Sequence, residues 1–170
     1  EWKPYNPRKK VAREGLSVTS LDGGLSGIPD LDSVREYCIE NQIRLTEMSF
    51  NKETIVAPIV KEFLEPFKGH VGRSHFIRMG KGGHFPPHRD DHQAEVNNMR
   101  LFIPIKDCNP PSTFFMLDRE VLHFEHGRAY FINTCIEHTV FSCYPSLFLV
   151  MNVAVNEETV KALLNNMQWK

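Results

Sequence analysis

The chain lacks an excess of charge of either sign. Twenty Lys and Arg stand against twenty-one Asp and Glu over 170 residues, a net charge of −1. A general nucleic-acid binder needs a basic face, so nucleic acid is not an expected partner. Cysteine is sparse as well: Cys38, Cys108, Cys135 and Cys143 form no CxxC pair and no dense framework. That argues against a disulfide-stapled scaffold and for a reducing, intracellular (cytoplasmic) setting, with most of the cysteines acting as small core residues. No apolar run approaches the ~18 residues of a membrane span, so no membrane partner is expected. No signal-peptide pattern opens the chain. It begins at Glu1 rather than Met, so its natural N-terminus is expected to be processed or to lie further upstream. Internal repeats and low-complexity tracts are absent too.

What is present reads as one domain over 1–170. The 41% hydrophobic and 24% charged content is ordinary for a globular chain, and the length suffices for a real core. Residues 1–15 are polar and carry Lys3, Arg8, Lys9, Lys10 and Arg13, which read as a solvated, extended arm. A short strand is expected at 16–20. A helix capped by Asp30 should run to about Asn41, with Leu31, Val34, Tyr37 and Cys38 on one face. Thr54 opens a second helix in which Ile55, Ile59, Phe63 and Phe67 recur at helical spacing, ended by Pro66 and Gly69. From Val71 the texture changes to short runs rich in Phe, Ile, Val and Thr. Strands are expected at 74–79, 99–105, 113–117, 128–133, 139–143 and 147–155, which suggests a sandwich or barrel. Asn156 caps a closing helix with Glu157 and Glu158 in its first turn. The arm and helices (1–70) thus precede a β core (71–155) and a C-terminal helix (156–170).

The chemistry-bearing stretch is GGHFPPHRDD over 82–91. In an extended strand residues i and i+2 share a face, so His88 and Asp90 can reach one metal ion together. His138 lies between two strand-like runs, far enough along the chain to return to the same mouth. Two His and one carboxylate on one face of an iron leave positions open for other ligands. Among the eight histidines, His84 is the nearest rival, His92 shares the face of His88, and His123 and His126 read as a surface cluster around Glu125. Asp91 competes with Asp90 but would face away from His88 on a strand.

With those residues in view, a family resemblance emerges. FIRMGKGGHFPPHRD over 76–90 resembles the ligand-bearing strand and turn of Fe(II)/2-oxoglutarate-dependent oxygenases. MRLFIPI over 99–105 and GRAYFINT over 127–134, followed by His138-Thr139-Val140, are similar to segments of their aspartyl/asparaginyl β-hydroxylase-like branch. The resemblance covers roughly residues 74–155. It implies a mainly β (α+β) double-stranded β-helix, the jelly-roll or cupin-like fold, with the N-terminal helices packed on it. It implies Fe(II) held by His88, Asp90 and His138, 2-oxoglutarate as cosubstrate and O2 as co-reactant. The expected activity is hydroxylation of an amino acid, a peptide or a protein side chain. Other cupin-type metalloenzymes more often carry an HxH pair; a non-catalytic β-sandwich binding module is the remaining alternative.

In this branch an Arg about ten residues after the distal His binds the far carboxylate of 2-oxoglutarate. Here that position is Phe148, and residues 142–156 contain no Arg or Lys. Either another cation serves, since a carboxylate is best matched by the planar fork of Arg, or the cosubstrate sits differently. Arg100 is the first candidate, with Arg78, Arg128 and Lys106 as others. Ser142, Tyr144 and Asn133 could add hydrogen bonds. Phe85, Phe102, Tyr130 and Phe131 are candidates for the lining.

Overall fold

The computed structural model describes residues 1–90 and 98–166. Asp91 and His92 lie outside the described residues. The strands are β1 (Lys3–Pro4), β2 (Arg13–Ser17), β3 (Thr19–Ser20), β4 (Lys52–Glu53), β5 (Val71–Met79), β6 (His84–His88), β7 (Asn98–Lys106), β8 (Thr113–Leu117), β9 (Glu120–Leu122), β10 (Tyr130–Ile132), β11 (His138–Ser142) and β12 (Ser146–Ala154). The α-helices are α1 (Val34–Asn41), α2 (Lys61–Leu64) and α3 (Glu157–Asn166).

Two antiparallel sheets make the core. One runs β1-β2-β5-β12-β7-β10 and the other β6-β11-β8-β9. With β5 as the first core strand and β12 as the eighth, one sheet takes the first, eighth, third and sixth strands. The other takes the second, seventh, fourth and fifth. That interleaving is the strand order of a double-stranded β-helix, a jelly roll closed by two sheets. Ile77, Met79, Phe102, Phe115, Phe124, Ile132, Val140 and Phe148 fill the space between the sheets. Phe102 is the hub, with ring centres 5.2, 4.8 and 4.9 Å from Phe115, Phe124 and Phe148.

The alternate residues of the larger sheet point the other way, as the pleat requires. Phe76, Leu101, Ile103, Leu149 and Met151 pack against Val56, Val60, Leu64 and Phe67. The helical layer therefore sits behind the larger sheet. The segment expected as one helix from Thr54 is instead a 3-10 turn over Ala57–Val60, the short α2 and a second 3-10 turn over Glu65–Phe67. The tighter 3-10 winding rotates the buried stripe. Ala57, Val60, Leu64 and Phe67 go inside, while Ile55 and Ile59 are 84% and 74% exposed. Ser33 rather than Asp30 caps α1 by accepting from the Glu36 amide. Asp30 is buried and accepts from the Leu21 amide instead. Val34, Tyr37 and Cys38 are half-buried behind the buried Leu31, whereas Arg35, Glu36, Ile39 and Glu40 are exposed, so the expected face is the inward one though none of its α1 residues is fully buried.

The N-terminal arm is not solvated chain. β1 pairs with β2, Arg8 clamps Asp32 and Glu40, and Arg13 is buried. β6, the strand that carries His88, contains Pro86 and Pro87. As an edge strand it tolerates both, since Pro lacks only a ladder donor that an edge does not use. Among the described residues no helix is long and apolar enough to cross a membrane.

Gly72 allows a close approach that matters for the site. A Cβ there would lie 2.7 Å from the Glu47 carbonyl oxygen. The 3-10 turn Glu47–Ser49 can therefore rest on β5, with the Glu47 carboxylate accepting from Arg73 Nε at 2.7 Å and Nη2 at 2.9 Å. Glu47→Ala would leave the buried Arg73 guanidinium without its ion partner. The expected loss is about 3 kcal/mol of folding stability, measured by urea denaturation; a loss below about 1 kcal/mol would show the pair to be dispensable.

Candidate metal centre

β6 and β11 are neighbours in the smaller sheet, and their register places His88 opposite His138. Beyond that pair the register slips, so that Val140 faces Phe85. A bulge of this kind turns side chains at a strand end. The two imidazole centres lie 4.3 Å apart. Asp90 follows β6 and is tied to the chain before β11 by its amide, which donates to the Thr134 carbonyl at 2.9 Å. One potential ligand atom from each of His88, Asp90 and His138 lies within 4.8 Å of the others.

Hydrogen bonds settle which ring nitrogen each imidazole presents. His88 Nδ1 lies 2.6 Å from the Pro86 carbonyl and His138 Nδ1 lies 3.0 Å from the Ile136 carbonyl. A carbonyl only accepts, so in the neutral ring each Nδ1 carries the proton and each Nε2 keeps a lone pair, the arrangement usual in metal-ligating histidines. His88 Nε2 is 3.5 Å from Asp90 Oδ1. Ring contacts brace both imidazoles: Phe85 stacks 6.5 Å from His88, and Phe115 stacks 6.3 Å from His138.

A chain of charged and polar groups holds Asp90 from behind. Arg100 Nη1 donates to Asp90 Oδ2, and its Nε donates to Asn152 Oδ1 at 3.2 Å. Asn152, fully buried on the adjacent β12, donates to the Arg73 carbonyl at 2.7 Å and to Glu47 at 3.2 Å. Burial opposes charge on Asp90, but hydrogen bonding with His88 and the charge of Arg100 hold its carboxyl far below the usual range. That balance favours the carboxylate form. The hydrogen bond with Asp90 raises the pKa of His88, while burial lowers that of His138.

A metal must displace the proton that Asp90 stabilises on His88. Affinity for Mn(II) is therefore expected to climb with pH through the His88 transition, above the ordinary value of about 6.5, and then level off. A titration calorimetry series flat across that range would contradict ligation by His88.

The other residues singled out from the sequence fall elsewhere. Arg78 faces outward, pairing with Glu14 at 2.9 Å beneath Trp2. Arg128 pairs with Glu125 at 3.0 Å. Ser142 is buried in a hydroxyl chain, 2.9 Å from both Thr113 and Ser146. Lys106 is exposed at the end of β7, and Tyr144 is exposed as well. Asn133 accepts from the Cys135 amide. His84 bonds the Gly82 carbonyl, and His123 and His126 are exposed. Of the aromatics, Phe85 lies beside His88, Phe102 is in the inner core, Tyr130 packs on Phe124 and Phe131 is half exposed. Only Arg100 of the candidate cations adjoins the trio. Sequence reasoning missed Asn152, Glu47 and Arg73. The available signal was Asn152 itself, a lone amide inside the apolar run of 147–155, where a buried polar group needs partners.

The sequence profile of the aspartyl/asparaginyl beta-hydroxylases matches residues 40–151. The chain belongs to that family. No curated protein sequence matches it. Among solved structures it is similar to KdgF from Halomonas sp., at 9% identity over 93% of this chain and 89% of that one, with a TM-score of 0.46. It is also similar to an RmlC-like cupin from Shewanella frigidimarina, at 11% identity over 54% and 73% and a TM-score of 0.38. A predicted oxalate decarboxylase from Thermotoga maritima gives 10% identity over 54% and 74% and a TM-score of 0.39. The jelly-roll assignment rests on the sheet order above and draws nothing from these likenesses.

Proposed function

We propose that the protein is a non-haem Fe(II)/2-oxoglutarate-dependent oxygenase that hydroxylates an amino acid, free or within a peptide or protein. The observation that carries this reading is the convergence of His88, Asp90 and His138, with one ligand atom of each within 4.8 Å of the others and both Nδ1 atoms turned to backbone carbonyls. Family membership supports it. Two imidazoles and one carboxylate suit ferrous iron and leave positions for a chelating 2-oxo acid and for oxygen. His88, Asp90 and His138 would hold the iron, which would supply oxidative decarboxylation of 2-oxoglutarate coupled to C–H hydroxylation, with one atom of O2 in succinate, the other in the product and carbon dioxide released.

The chain's own residues have separate tasks. Pro86 and Ile136 carbonyls fix the imidazole tautomers. Arg100 holds Asp90 in place and balances its charge. Phe85 and Phe115 restrict ring rotation and keep the inner side of the site apolar. The test is a panel of free amino acids and short peptides incubated with protein, Fe(II), 2-oxoglutarate and air. The expected result is one product that gains the mass of a single oxygen atom in step with succinate release. Succinate release that is the same in the His138→Ala variant would overturn the reading.

A further inference from the structure

Among the described residues, the inner face of the β2–β5 pair carries three polar side chains with atoms that lack a hydrogen-bond partner, although the His75 ring packs 5.1 Å from that of Tyr5. They are Arg13 at its Nε, Ser17 at its hydroxyl and His75 at both ring nitrogens. Register places Ser17 opposite His75 and Arg13 opposite Met79, so all three share one face. Ile77 and Met79 of the same face belong to the cluster between the sheets, so this face looks into the barrel. Arg13, Ser17 and His75 are 4%, 2% and 2% exposed. Buried polar groups are nearly always hydrogen-bonded, and three orphans on one wall call for a ligand or ordered water.

Arg13 is the strongest demand of the three. No carboxylate pairs with it among the described residues, and burial lowers its pKa. Its guanidinium carbon lies 4.1 Å from the Phe85 ring centre and 5.6 Å from that of Tyr5. Those ring faces attract a cation, yet neither balances its charge. Phe85 is also the ring stacked beside His88. Arg13 is therefore separated from the candidate ligands by a single aromatic side chain. Ser17 and His75 are level with Val150 and Phe102, next to the level of Arg100 and Asn152, whereas Arg13 lies further from it. Burial and the nearby charges of Arg73 and Arg100 keep His75 neutral, so it can donate from one nitrogen and accept at the other. Arg100, by contrast, already commits Nε and one Nη to Asn152 and Asp90.

We infer that this wall is the seat of an acidic 2-oxo acid: Arg13 pairs with the carboxylate remote from the metal, and Ser17 and His75 hydrogen-bond the ligand between them. The inference rests on reading the trio as an iron centre that chelates a 2-oxo acid. It places the anchoring cation on an N-terminal strand, across the barrel from the smaller sheet and sixty residues or more before the ligands. It also accounts for Phe148, where a second cation would be redundant.

The test uses the Mn(II)-loaded chain and two ligands, 2-oxoglutarate and pyruvate. Both can chelate through the ketone and its neighbouring carboxylate, but only the first has a remote carboxylate. Dissociation constants come from calorimetry and from ligand-induced thermal shifts. The wild type should prefer 2-oxoglutarate by about tenfold to a hundredfold, the usual range for a hydrogen bond to a charged group. Arg13→Gln should erase that preference while leaving Mn(II) and pyruvate binding unchanged. Arg13→Lys, which keeps the charge without the fork, should retain part of it and serves if Arg13→Gln fails to fold. An undiminished preference in both variants overturns the inference, as does its loss in Arg100→Gln alone. Binding of neither 2-oxo acid by the Mn(II)-loaded wild type overturns the proposed function and this inference together.

Discussion

His138→Ala should lose tight metal binding while the barrel stays folded. His138 supplies one of three ligand atoms, and its ring is held by the Ile136 carbonyl and by Phe115. Changes to groups that merely orient a ligand already reduce metal affinity by about tenfold to a hundredfold. Removing a ligand outright should exceed that, and Mn(II) or Fe(II) binding should weaken by more than about a hundredfold. The readout is anaerobic titration with far-UV circular dichroism as the check on folding. Arg78→Gln is the matched control, because Arg78 faces outward against Glu14 and Trp2. If His138→Ala binds metal as the wild type does, the ligand set proposed here is wrong.

Phe102→Ala has the largest expected effect on the fold. Its ring touches three other phenylalanines between the sheets and is 4% exposed. Truncation leaves a cavity bounded by rigid rings from β8, β12 and the segment after β9, so collapse is limited. Such changes cost about 3–5 kcal/mol, which for a chain of this size corresponds to a fall in melting temperature of about 10 °C. Phe102 is two residues from Arg100 on β7, so the same variant should also loosen the Arg100–Asp90 contact and weaken metal binding. A melting point within a degree or two of wild type would mean that the two sheets are not joined through this cluster.

Much of the β core could be read from residue pattern. The expected strands over 74–79, 99–105, 113–117, 139–143 and 147–155 fall within a few residues of β5, β7, β8, β11 and β12. β7 and β12 stand out as near-continuous apolar runs because both faces of the larger sheet pack against something. The N-terminal third was less legible. Ile55 and Ile59 fit an α-helical period, and only the packed chain shows that two 3-10 turns rotate that stripe outward. Five basic residues crowd the arm and suggest a solvated segment, yet Arg13 is buried on β2 and Arg8 is held by Asp32 and Glu40.

The same division holds for the site. His88, Asp90 and His138 were found from the i, i+2 spacing and a distant strand, and the fold brings them together. Which cation faces the barrel was not legible. Local pattern does not say that Arg78 is on the outer face of its strand, or that Arg128 closes on Glu125 three residues earlier. Nor does it reveal Asn152 and Glu47, since their bond to Arg100 and Arg73 joins four separate segments of chain. Those contacts are properties of register and sheet order, and register depends on the whole barrel.

The most direct measurement is an anaerobic Fe(II) titration of the protein in the presence of 2-oxoglutarate, following the weak visible charge-transfer band of the ferrous chelate. The band is expected to grow to one iron per chain in the wild type and to be absent in His138→Ala. No band in the wild type, or an equal band in the variant, would contradict an iron centre built on His88, Asp90 and His138.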